Sequence, residues 1–243
     1  MKVLVVGLGH VGSAIYELVK GKHEVDYIEI DKQETELEPD VMHICMNYTS
    51  DFEDTTVGYM RRFRPGLTIL ESTVRIGTTR RIYERVRMPI VHSPVVGNEK
   101  DGMLWCIKDR YTKYVAAPKP EFSELAKSYY EGLGLRVKVL SRPESTELAK
   151  LCETTYYALM ISWFQEVDRM CNKVGADFDE VSEFIGRITK ESGYQHLRPV
   201  FYPGVIGGHC LMPNLKLLKL DFESKFLDAI EESNERRKGE LGA

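Results

Sequence analysis

Gly204-Val205-Ile206-Gly207-Gly208-His209-Cys210 sets a cysteine behind a glycine-rich turn. Glycines leave backbone N–H groups uncovered, and such groups can hold an oxyanion or support a thiolate nucleophile. A cysteine without that context is more often a small buried apolar residue. A second pattern, Gly7-Leu8-Gly9-His10-Val11-Gly12, follows the apolar run Val3 to Val6 and opens the helix-like stretch Ser13 to Lys20. In a GxGxxG of this kind, one glycine makes the tight turn after a strand and another clears the way for a pyrophosphate. A further one lets the helix pack close to the strand, and the helix N-terminus then meets the phosphates. Gly7, Gly9, His10, Val11 and Gly12 are therefore expected to form a dinucleotide site. Glu29 ends the next apolar run, with Asp31 close behind. A carboxylate there accepts hydrogen bonds from ribose hydroxyls and repels a 2′-phosphate, which favours NAD over NADP.

The elements that must position these residues alternate. Strand-like runs at Val3–Val6, Glu24–Ile30, Asp40–Met46, Leu67–Glu71, Pro89–His92, Tyr111–Ala117 and Arg136–Leu140 are interleaved with helical patterns at Phe52–Arg64, Thr78–Arg87 and Glu121–Gly132. This order predicts an α/β fold with a doubly wound parallel sheet, a Rossmann domain over residues 1–143. The connection from Asp31 to Asp40 is too short and polar for a crossover helix. From Glu144 to Val174 there is neither proline nor glycine, and Leu148, Leu151, Cys152, Thr155, Leu159 and Trp163 recur near one helical face. A helix of about 30 residues spans about 45 Å, more than one small domain needs. Such a helix either joins two lobes or packs against its symmetry mate, and residues 144–243 are expected to form an all-helical domain whose homodimer contact is helix 144–174. Asp177–Lys190 is a further helix, Gly193–Pro213 an ordered loop, and the charged Glu231–Glu240 a frayed helix end.

Composition narrows the function classes. A net charge of −4 gives no global attraction to nucleic acid. The arginines crowded between Arg61 and Arg87 read first as solvated helix faces, and second as contacts for a phosphate. The cysteines are odd in number, 5, and form no CxxC pair, so no metal site and a reducing, cytoplasmic setting are expected. No signal peptide or membrane-spanning run is legible.

Taken in order along the chain, the motifs resemble the UDP-glucose/GDP-mannose dehydrogenase family, most closely its UDP-N-acetylmannosamine dehydrogenase branch. The likeness rests on the N-terminal glycine loop, on Glu71-Ser72-Thr73-Val74 with Gly77-Thr78-Thr79, on Glu147-Leu148-Ala149-Lys150-Leu151-Cys152-Glu153, and on Tyr202-Pro203-Gly204 through Cys210. It implies oxidation of a primary alcohol to an acid with NAD. An aldehyde forms first, and the cysteine captures it as a thiohemiacetal that passes through a thioester. Cys210 matches that nucleophile, Lys150 the lysine that steadies oxyanion charge, and Thr73 a threonine near the nicotinamide.

Several positions depart from the family pattern. Thr154 replaces an asparagine, and Asn214 replaces an aspartate and cannot act as a carboxylate base. Ser93-Pro94-Val95 lacks the family glutamate, and Glu99 matches a second one if the loop keeps register. Arg75 replaces a proline beside the nicotinamide end, where it could hold an anionic substrate. Arg198 resembles an arginine that crosses the dimer to the substrate, and Gly207 and Gly208 are expected to line the substrate. The sequence ends where the family's C-terminal UDP-binding domain would begin. The expected substrate is a small molecule, phosphorylated or nucleotide-linked. Two other readings stay open: a non-catalytic, NAD-binding dimeric regulator, and a β-hydroxyacid-type dehydrogenase that uses Lys150 without the thiol.

Overall fold

The computed structural model describes residues 1–98 and 100–242. The chain divides into two compact units, Met1–Lys150 and Leu151–Ala243.

The first unit is built on parallel strands β1 (Lys2–Val6), β2 (Glu24–Ile28), β3 (Val41–Ile44), β4 (Leu67–Leu70) and β5 (Ile90–His92), in the order β2-β1-β3-β4-β5. Helices α1 (His10–Lys20), α2 (Phe52–Phe63) and α3 (Thr78–Val86) connect them. The expected doubly wound sheet is present. Its strands alternate side chains between two cores. Val3, Val5, Val41, Ile69 and Val91 face one side, while Leu4, Val6, Met42, Ile44 and Leu70 face the other. Both faces are covered, which is why these strands read as continuous apolar runs. The β2–β3 connection carries no helix, as its polar, short sequence foretold. It carries the chain from one side of β1 to the other, so the strand order reverses between β1 and β3. Ligands of open α/β sheets bind at such a switch point, beyond the carboxyl ends of the strands.

After β5 come a single helical turn α4 (Met103–Trp105) and a π-helical segment, Cys106–Arg110, neither of which has a sequence signature. Strands β6 (Lys113–Val115) and β7 (Val137–Val139) flank α5 (Pro120–Gly132). They pair with each other as a separate parallel sheet, joined to β5 by an antiparallel bridge from His92 to Ala116.

Helix α6 (Pro143–Val174) has 32 residues. The apolar stripe read from sequence divides. Leu151 and Thr155 are buried, but Leu148, Cys152 and Trp163 are exposed. The buried face runs instead through Leu151, Ala158, Ser162 and Gln165. A helix with more than one neighbour buries more than one stripe, and small or polar residues inside it meet polar partners. The second unit continues with α7 (Phe178–Glu191), α8 (Leu211–Lys219) and α9 (Lys225–Leu241). Two expectations are corrected here. The loop after Gly193 ends at Cys210, not Pro213, because proline is tolerated in a first helical turn where its missing N–H has no partner to lose. Glu231–Glu240 is not frayed: it lies in α9 with Ser233, Asn234 and Arg237 buried, while the charged residues between them point outward.

Candidate active site

At the carboxyl end of β1, Gly7 adopts φ +89° and donates its N–H to Ile28 O at 2.8 Å. A Cβ on Gly12 would lie 1.7 Å from Gly7 O, so only glycine lets α1 approach the turn. Gly9 has nothing within 4 Å of where its Cβ would stand. The loop is therefore closed toward the sheet and open outward, as a pyrophosphate cradle requires. Val11 is half-buried and His10 exposed at the start of α1.

Glu29 stands just past β2. Its carboxylate accepts the N–H of Leu8 at 2.6 Å and that of Ile30 at 3.0 Å. The Leu8 and Ile30 amides hold the carboxyl below its ordinary range. Each oxygen keeps a further lone pair for a hydroxyl. The acid thus braces the glycine loop, a role not visible in the spacing. Asp31 is exposed beside it.

At the end of β4 lies a buried ionic cluster that sequence reasoning missed. Glu71 is bound by Lys113, by His43 Nδ1 at 2.9 Å and by Tyr130 Oη at 2.5 Å. His43 Nε2 meets Tyr129 Oη at 2.9 Å. Burial pushes the Glu71 carboxyl up, but Lys113 and His43 outweigh it and bring it to about 2. The cluster ties β3, β4, β6 and α5 together directly before Ser72 and Thr73. Ser72 Oγ in turn donates to Met46 O at 2.5 Å. Thr73 and Arg75 are half-buried on the segment that follows. No local signal marks Lys113, since a single lysine in a short strand reads as an edge residue.

Glu147 closes that segment. Its Oε2 accepts Gly77 N–H at 2.6 Å, and its Oε1 accepts Thr79 N–H at 2.9 Å and Thr79 Oγ at 2.7 Å. Burial pushes its carboxyl up against the pull of these donors. Glu147 thereby caps the N-terminus of α3 from α6, one turn before Lys150, while Glu144 pairs with Arg80. Lys150 itself is half-buried. Arg81 and Arg85 pair with Glu53 and Asp54. Ion pairs on helix faces thus account for several of the crowded arginines.

In the second unit Cys210 is exposed at the N-cap of α8, after Gly207 and Gly208, the latter at φ +83°. Asn214 is buried one turn on and donates Nδ2 to Thr154 Oγ at 3.1 Å, so two of the positions that depart from the family pattern bond to each other. Thr154 Oγ also donates to Leu151 O. Arg198 is exposed and lines an apolar groove with Tyr156, Trp163, Phe184 and Leu197. Glu99 falls outside the described residues. Among the described residues no group of His, Cys, Asp or Glu is placed to hold a metal ion, and no helix is long and apolar enough to cross a membrane.

With this geometry the chain can be set against known proteins. Residues 144–236 match the UDP-glucose/GDP-mannose dehydrogenase family, central domain. The chain is similar to the UDP-N-acetyl-D-mannosamine dehydrogenase of Methanococcus maripaludis, 25% identical over 170 residues. That alignment covers 70% of this chain and 38% of the relative. Among solved structures, the UDP-D-ManNAc dehydrogenase of Pyrococcus horikoshii superposes with a TM-score of 0.83 at 18% identity, over 100% of this chain and 70% of that one. A 3-hydroxyisobutyrate dehydrogenase from Mycobacterium tuberculosis gives 0.71 at 16% identity, over 98% and 94%. The resemblance to the nucleotide-sugar dehydrogenase family read from the motifs is upheld, and so is the fold.

Proposed function

We propose that this chain is an NAD-dependent dehydrogenase that oxidises a primary alcohol of a nucleotide-sugar, nucleotide or sugar phosphate. The observation that carries this reading is the family's central-domain match across 144–236, which includes both Lys150 and Cys210. The open glycine cradle and the Glu29 carboxylate support it, because they suit a dinucleotide with a free 2′-hydroxyl. Residues 1–143 are the NAD-binding domain and 144–243 the helical domain, paired in a cytosolic homodimer through helix 144–174.

Bound NAD supplies the hydride acceptor. The alcohol carbon gives up a hydride and its hydroxyl a proton to water, and Lys150 steadies the negative charge that gathers on oxygen. Thr73 and Arg75 would lie beside the nicotinamide, where Arg75 would hold an anionic group of the substrate. Cys210 adds its sulfur to the aldehyde carbon, giving a thiohemiacetal. Loss of a second hydride, for which a second NAD would be the acceptor, makes the thioester, and water releases the acid and the thiol. Asn214 has its amide committed to Thr154 and carries no carboxylate, so hydrolysis has no base at that position. The step this slows is release of the thioester, so the product that can still leave is the aldehyde of the first oxidation. Glu99, Arg198, Gly207 and Gly208 are assigned to the remaining substrate contacts.

The test is incubation with NAD and a pool of nucleotide sugars, nucleotides and sugar phosphates, read by mass spectrometry. Loss of two hydrogens from one pool member, with NADH formed, is expected. An unchanged pool sinks the assignment. A second reading, a β-hydroxyacid-type dehydrogenase, is favoured by the near-complete coverage of the 3-hydroxyisobutyrate enzyme. It predicts that Cys210→Ala leaves turnover with a β-hydroxyacid unchanged.

A further inference from the structure

Cys210 follows a long irregular segment, and Gly207 and Gly208, three and two residues before it, are exposed. Glycine loops have the largest conformational entropy of any backbone. A reacting sulfur must nevertheless be held to within about 0.5 Å. The holding groups lie upstream, in the interior of the second unit. Asn234 of α9 is fully buried, accepts Ile206 N–H on Oδ1 at 2.7 Å and returns Nδ2 to Ile206 O at 3.1 Å. One side chain thus satisfies both backbone groups of one residue, as a neighbouring strand would. Gln165 of α6, also fully buried, donates Nε2 to Gly204 O at 2.7 Å. Its orientation is set by Ser233 Oγ, which donates to Gln165 Oε1 at 2.8 Å, and by Asn234 Oδ1 at 3.4 Å. Beyond Cys210, Asn214 N–H bonds to Cys210 O at 2.9 Å as α8 begins.

We propose that Asn234 and Gln165 are the positioning residues of the Cys210 thiol, clamping Gly204 and Ile206 so that the Gly207-Gly208 turn delivers the sulfur to one place. This rests on Cys210 as the nucleophile of the proposed reaction. The physical reason for amides is that the segment cannot join a sheet in an all-helical unit, so its buried N–H and C=O groups need side-chain partners. The flanking Arg237 donates to Asp168 and to Gln165 O, and its hydrogen bonds go to α6 and not to the loop. It therefore offers a control for general destabilisation.

The experiment compares full-length Asn234→Ala, Gln165→Leu and Arg237→Gln by amide hydrogen exchange and by iodoacetamide labelling of the Cys210 peptide. Asn234→Ala should speed exchange over residues 204–210 by at least about tenfold, a loss of one buried hydrogen bond's protection. The Cys210 labelling rate should change with it. Gln165→Leu should act in the same place more weakly, and it decides the matter if Asn234→Ala does not fold. Arg237→Gln should loosen α6 and α9 without singling out the loop. In turnover, kcat should fall for the clamp variants while NAD affinity stays. If loop exchange and Cys210 labelling in both clamp variants match Arg237→Gln, the clamp is overturned. Exchange and labelling need neither substrate nor NAD, so a chain that oxidises nothing would overturn the dehydrogenase reading and leave this result legible.

Discussion

Single residues decide how the glycine loop works, and two of them separate fold from binding. Gly12 has no room for a methyl group, since a Cβ there would sit 1.7 Å from Gly7 O. Gly12→Ala should therefore cost roughly 1–3 kcal/mol of stability or more, seen as a lower melting temperature without ligand. Gly9→Ala meets nothing within 4 Å and should melt like the parent. Its methyl would occupy the pyrophosphate's path, so calorimetry should show NAD affinity lost. Equal melting and equal binding in both variants would refute the cradle. His92 gives a pH prediction. It is fully buried between Thr146 and Ser72, and burial brings its pKa down to about 3. Unfolded, the imidazole titrates near 6.5, so between those values the unfolded chain binds the extra proton. Stability from this group is full above pH 6.5 and falls as pH drops toward 3, by up to about 1.4 kcal/mol per pH unit. Denaturant midpoints for the parent should slope down in that window, and His92→Gln should flatten the slope. A parent midpoint that stays level from pH 7 to pH 5 would contradict the assignment.

At the scale of elements, Glu147 is the tie between α6 and the N-terminus of α3. Both of its oxygens accept, so Glu147→Gln places an amide against an N–H donor and Glu147→Ala leaves the donors of Gly77 and Thr79 without a partner. Unsatisfied buried groups of this kind cost roughly 2–4 kcal/mol together. Thermal melts should show the loss for both variants, and exchange should rise at residues 75–80 first. Loss spread evenly over the first unit would mean that Glu147 does not act as a cap. The motif Glu147-Leu148-Ala149-Lys150 was legible as a family likeness, yet the use of Glu147 was not. A glutamate on a long helix is solvated by default, and only a second helix end brought against it turns it into a cap. The Glu71 cluster has the same character. Lys113, His43 and Tyr130 lie far from Glu71 in sequence, and nothing local announces that the four share a buried space.

For the whole molecule, the proposed pairing through α6 makes a measurable claim. Tyr156, Tyr157, Trp163 and Met170 are exposed along that helix, at 58%, 47%, 50% and 53% of full accessibility. Exposed large apolar groups in series mark an association surface. Light scattering should give twice the 27.9 kDa chain mass, and Trp163→Glu should reduce it toward the monomer. A monomer at all concentrations would remove the pairing and with it the role given to Arg198.

The sequence by itself determined the α/β character of the first unit, because apolar runs alternate with helical patterns, while the strand order and the separate pairing of β6 with β7 were decided by the tertiary structure. It also determined the glycine turn after β1 and the order of motifs that carries the family likeness, since each motif depends on neighbours a few residues apart. Only the tertiary structure decided which side of α6 is buried, that α9 is ordered to its end by Asn234 and Arg237, that Thr154 and Asn214 bond to each other, and that Glu71, Glu147, Gln165 and Asn234 have partners far along the chain. The reason is the same for each. A polar side chain in a helix or at a strand end has the same local preference whether it meets water or a buried backbone group, and the choice is made by the packing that excludes the water.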